Sequence, residues 1–92
     1  MNKFRVFKVM GIVVDSLKRN AINIQQSGFI LAEDKYDCDT IEIRYKGYIP
    51  DNMLIDIPKL NGYESDYTFR KENNIKILII YYFPILKEIK ED

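Results

Sequence analysis

Apolar and polar residues alternate most cleanly over residues 41–49: Ile41, Ile43, Tyr45, Gly47 and Ile49 fall on one side, Glu42, Arg44, Lys46 and Tyr48 on the other. A period of two is that of a strand with one face in water. Ahead of it, Phe29, Ile30, Leu31 and Ala32 form a short apolar run, and the polar residues 33–39 separate the two as a hairpin loop would. These segments are expected to be antiparallel neighbours. A second hairpin is expected from residues 63–70, where Tyr63, Tyr67 and Phe69 lie opposite Glu64, Asp66, Thr68 and Arg70, and residues 75–83, apolar on both faces in their middle. Residues 71–74 are the polar loop between them. Pro84 ends the pairing, and residues 85–92 are a charged tail with room for a turn or two of helix.

Residues 3–14 are rich in β-branched and aromatic side chains, with Phe4, Val6, Met10, Ile12 and Val14 on one face, and read as a long first strand. Gly11 inside it permits a bulge or bend. Residues 15–28 admit two readings. As a helix they have Asp15 as N-cap, Leu17, Ala21 and Ile24 on one stripe, and Gly28 as stop. As extended chain they turn at residues 18–20 and alternate through Ile22 and Ile24 into Phe29. Residues 51–62 are a connector with a turn at Asn61 and Gly62. A long bent strand, a hairpin, a connector and a hairpin make up the strand sequence of a mainly β fold, a small five-stranded Greek-key barrel. The alternative is an α+β sheet with one helix at residues 16–27.

Ninety-two residues, 47% of them hydrophobic, make a single domain spanning 1–92 that is just large enough for its own core. The 14 basic and 14 acidic side chains cancel, so bulk attraction to phosphate or anionic lipid is not expected. Cys38 is the only cysteine, which excludes an internal disulfide and any multi-cysteine metal site. The longest apolar run is about half the roughly 20 residues a spanning helix needs. A soluble cytoplasmic protein with no membrane contact is the expectation.

The first half of the chain resembles an oligonucleotide/oligosaccharide-binding (OB) domain. The residues concerned are Val9, Met10, Gly11, Ile12, Val13 and Val14, then residues 28–34, then Thr40, Ile41, Glu42, Ile43, Arg44 and Tyr45. Residues 45–51, YKGYIPD, are similar to a segment of the haem chaperones of cytochrome c maturation. The resemblance implies a barrel. It carries no haem function, because those chaperones attach haem through a histidine and this chain has none.

Without histidine there is no Ser-His or Cys-His nucleophile pair and no histidine metal ligand. Glycine-rich phosphate loops are missing too. Glu33, Asp34, Asp37 and Asp39 fit no calcium-loop spacing and read as a solvated acidic turn. No enzyme activity and no cofactor are expected. The feature left over is tyrosine beside basic residues, and it defines a candidate binding surface of Arg44, Lys46, Tyr48, Tyr63, Tyr67, Arg70 and Lys71. Tyrosine and arginine are favoured anchors at protein interfaces, so the leading expectation is a binding module acting through a protein partner. It would work as an inhibitor of the anti-CRISPR kind, encoded by a phage or mobile element, or as a subunit of a larger complex. The alternative is single-stranded nucleic acid, bound by stacking bases on aromatics.

Overall fold

Val6, Val9, Met10, Val13 and Leu17 recur at the three- and four-residue spacing of a helix. In the computed structural model of the protein, which describes residues 1–34, 36–53 and 55–85, they form the buried face of α1 (Lys3–Arg19). The long first strand expected over residues 3–14 is therefore a helix, and the alternative helix at 16–27 lies too late in the chain. The period-two reading fails at Lys8, which it would place among the buried residues; the helix leaves Lys8 exposed and buries Val9 instead.

Magnitudes explain why β-branched residues accept the helix here. Five of them in a helix cost at most about 3 kcal/mol in propensity. Burying five apolar side chains contributes roughly 10 kcal/mol. Packing wins over local preference.

Both ends of α1 have identifiable caps. Asn2 has extended dihedrals and its side chain accepts a hydrogen bond from the Arg5 N–H at 2.9 Å. At the other end the Ala21 N–H donates to the Lys18 carbonyl at 3.0 Å and the Ile22 N–H to the Leu17 carbonyl at 3.1 Å. This is the Schellman pattern, with Ala21 at φ 61° where glycine is usual. Ile22 and Leu17 join the same core and complete the motif.

Four antiparallel strands follow: β1 (Asn23–Ile30), β2 (Asp39–Lys46), β3 (Tyr63–Glu72) and β4 (Ile75–Pro84). Their spatial order is β1-β2-β4-β3, so β2 and β4 are central and β1 and β3 are edges. Both expected hairpins form, in the expected register of faces. Ile41, Ile43 and Tyr45 point to the core while Glu42, Arg44 and Lys46 point away. The sheet is open. With its first strand replaced by a helix, the described chain does not close a five-stranded barrel, and residues 9–14 lie inside α1 rather than in a barrel strand.

Two turns set the strand ends. Asn73 and Asn74 both have positive φ, 47° and 68°, giving the primed two-residue turn whose twist suits a hairpin. Gly47, at φ 114°, takes the chain out of β2 three residues before Pro50, so the strand expected to run to Ile49 stops at Lys46.

The core lies between α1 and one face of the sheet. Leu78, Ile80 and Tyr82 of β4 meet Ile41 and Ile43 of β2 beneath the helix. The connector between β2 and β3 crosses this side too, with Met53, Ile55, Ile57 and Leu60 packed against the core. Two hydrogen bonds fix its path. The Tyr82 hydroxyl donates to the Pro58 carbonyl at 2.7 Å, and the Asp56 N–H donates to Ser16 Oγ at 3.2 Å. The tail helix contemplated for residues 85–92 lies, apart from Ile85, outside the described residues.

Candidate interaction surface

The residues proposed from sequence are divided between two faces. Cross-strand register puts Arg44, Ile77 and Arg70 in one row across β2, β4 and β3, on the face away from α1, with Lys46 near its end. Tyr67 and Lys71 lie on the opposite face, in register with Ile80 and Lys76. Tyr63 is on that face as well, and Tyr48 is 74% exposed in the segment after β2. Arg44 reaches Glu42 at 3.8 Å and Arg70 reaches Glu72 at 3.2 Å, so both guanidinium groups already have carboxylate neighbours.

Aromatics and cations are also separated along the outer face. Tyr81 and Phe83 stack with ring centroids 6.0 Å apart, and their β3 neighbours are Asp66 and Glu64. The basic residues border Ile77 at the other end. A stacking platform for bases needs cations beside the rings, and here the rings have carboxylates beside them.

The acidic loop before β2 is a structural device. Asp34 Oδ1 accepts from the Tyr36 N–H at 2.8 Å and the Asp37 N–H at 3.2 Å, forming an Asx turn. Asp39, expected in a solvated turn, is only 3% exposed. Its Oδ1 accepts from the Ala32 N–H at 2.8 Å, and its Oδ2 lies 3.3 Å from the Met1 amino group. That ammonium is held above its ordinary pKa, first by a hydrogen bond with Tyr63 and then by Asp39, against the cost of desolvation. A cleft of about 420 Å³ opens here, bordered by Met1, Glu33, Asp34, Asp37 and Tyr63. Among the described residues no cluster of His, Cys, Asp or Glu could hold a metal ion, and no buried side-chain polar atom lacks a partner. Cys38 Sγ sits 3.8 Å from Thr40 Oγ1.

The feature that sequence reading missed is on α1. Phe4 is 76% exposed and Phe7 63%, and with Lys3 and Phe29 of β1 they line an open apolar groove of about 300 Å³. Lys3 Nζ stands 5.4 Å from the centre of the Phe4 ring. The helix carries five basic side chains and one acidic one, which leaves the rest of the chain at a net charge of −4. The zero total conceals this division. A helical wheel with Val6, Val9, Val13 and Leu17 inward puts both phenylalanines outward, whereas a period of two over residues 3–14 sets Phe4 on the same face as Val6 and Met10.

Among the described residues no helix is long and apolar enough to cross a membrane. No family model matches the chain, and neither a curated protein nor a solved structure matches it.

Proposed function

We propose that this domain is a non-enzymatic binding module that acts through a protein partner, as an inhibitor or as a subunit of a larger assembly, and that the outer face of α1 makes the contact. The supporting observation is the pair Phe4 and Phe7, exposed to 76% and 63% on a helix that also carries Lys3, Arg5 and Lys8. Exposed phenylalanines do nothing for the core. Large aromatics and arginine are favoured interface anchors, and the surrounding positive charge sets the sign of the surface they meet. The complementary surface is an acidic protein patch with an apolar side chain to fill the groove between α1 and β1.

The experiment compares the wild-type chain with a Phe4→Ser/Phe7→Ser variant in quantitative affinity capture from the native host. One protein should be enriched by the wild type and lost by the variant, and the purified pair should reproduce the loss. Replacing Lys3, Arg5 and Lys8 by Glu should weaken the same complex. Circular dichroism and thermal melting should be unchanged, because the two rings are largely in water. Retention of every partner by the variant overturns the proposal. Steeply salt-dependent binding of labelled single-stranded DNA or RNA would replace it with the nucleic-acid reading, sedimentation with anionic vesicles would replace it with a membrane surface, and turnover of a small molecule would end the binding-only claim.

A further inference from the structure

The edge strand β3 has a free stretch whose chemistry is complementary to itself. The two-residue turn at Asn73 and Asn74 makes Glu72 and Ile75 a hydrogen-bonded pair. Counting back from Glu72, the backbone groups of the even-numbered residues face β4. Those of Tyr63, Ser65, Tyr67, Phe69 and Lys71 face outward. Two contacts agree with this parity: the Tyr67 N–H is bonded to the Asp66 carboxylate at 2.8 Å, and the Tyr63 N–H to the Leu60 carbonyl at 3.2 Å. The connector thus occupies the start of the edge, and among the described residues no strand pairs with the outward side of residues 65–71, centred on Thr68.

This stretch carries no proline and no bulge, and its one charge on the core-side face, Lys71, stands at its end beside Lys76. On its core side Tyr67 and Phe69 form an edge-to-face pair, centroids 5.7 Å apart, and remain 48% and 47% exposed at the margin of the core. On the other side Asp66 precedes and Arg70 follows the centre.

We propose that β3 pairs antiparallel with β3 of a second copy about a twofold axis at Thr68, joining two four-stranded sheets into one of eight strands. In this register Asp66 faces Arg70 of the second copy, twice. Tyr67 faces Phe69 of the second copy, also twice, so four rings cluster on the core side. Ser65 pairs with Lys71, and every outward backbone group from Ser65 to Lys71 gains a partner. Moving the axis to Tyr67 would demand Tyr63, whose N–H is already used. Moving it to Asp66 or Phe69 sets carboxylates together or leaves Arg70 across from Thr68. The exchanged contacts, Asp66 with Tyr67 N–H and Arg70 with Glu72, are exposed and cheap to give up. One like-charge pair, Glu64 with Glu72 of the second copy, lies at each outer end. The pairing leaves the α1 groove on the far side of the sheet free, so it stands independently of the partner proposed above.

Sedimentation velocity over a concentration series tests it. Wild type should show a monomer–dimer equilibrium. Asp66→Arg and Arg70→Asp should each weaken the dimer roughly tenfold or more, because each change sets like charges opposite twice. The double exchange should restore it, and Glu72→Lys should tighten it. A Thr68→Cys variant in a Cys38→Ser background should form a disulfide dimer under mild oxidation, whereas Thr40→Cys in that background should not. A wild type that stays monomeric throughout, or single variants that associate as the wild type does, overturns the proposal.

Discussion

Gly11→Ala and Ala21→Gly are opposite substitutions ten residues apart, and both should stabilise the protein. Gly11 lies in the exposed middle of α1, and a Cβ built there meets no heavy atom within 4 Å. Alanine removes the backbone freedom of glycine at no steric cost, a gain of about 0.8–1.0 kcal/mol in a helix interior. Ala21 sits at φ 61°, a conformation that costs an L-residue roughly 1–2 kcal/mol. Glycine relieves this but brings back about 0.5–1 kcal/mol of unfolded-state entropy, leaving a net gain of roughly 0.5–1 kcal/mol. The sites are about 15 Å apart along the helix, far enough for the effects to add. The double variant should gain roughly 1.5–2 kcal/mol, which for a domain of this size raises Tm by about 6–15 °C. Urea denaturation followed at 222 nm should show a higher midpoint at unchanged slope. If residues 3–14 were instead a strand bent at Gly11, alanine would have to fill the bulge and would destabilise. A neutral or negative Gly11→Ala would therefore refute the helix.

Tyr82→Phe removes the hydroxyl that holds the connector at Pro58 and should cost about 1 kcal/mol, with faster amide exchange confined to the connector. Burial pushes the Tyr82 phenol from 10 up to about 12. Between those values the unfolded chain gives up this proton first, so wild-type stability should fall across that alkaline range. The gap between wild type and Tyr82→Phe should narrow there; a gap independent of pH would show the phenol is not shielded as described. Asp39→Ala strips the Ala32 N–H of its acceptor in a site only 3% exposed and should cost about 1–3 kcal/mol by chemical denaturation. Arg44→Ala/Lys46→Ala should stay folded, within about 1 kcal/mol of wild type, since both side chains lie on the outer face and only Arg44 borders the buried Ile77. Collapse of the fold in that variant would make the row of Arg44, Ile77 and Arg70 a structural one.

Wherever local chemistry and tertiary packing agree, the amino-acid pattern determined the structure. The alternation in β2, the all-apolar middle of β4, both hairpins and the faces of β3 follow from period two and turn residues, which need no knowledge of the rest of the chain. Residues 3–14 are the opposite case. Their β-branched side chains favour a strand locally, and only a sheet waiting to be covered makes the stripe of Val6, Val9, Val13 and Leu17 worth more as a helix. The helix stop at Ala21 carries no glycine to announce it, and Gly28, the stop of the helical alternative for residues 15–28, lies inside β1. The candidate surface divided for the same reason. Arg44 and Tyr67 are neighbours in composition, but strand order and register put them on opposite faces of one sheet. Only the helix brought Phe4, Phe7 and Phe29 to a common groove, and only the order β1-β2-β4-β3 left β3 with an open edge.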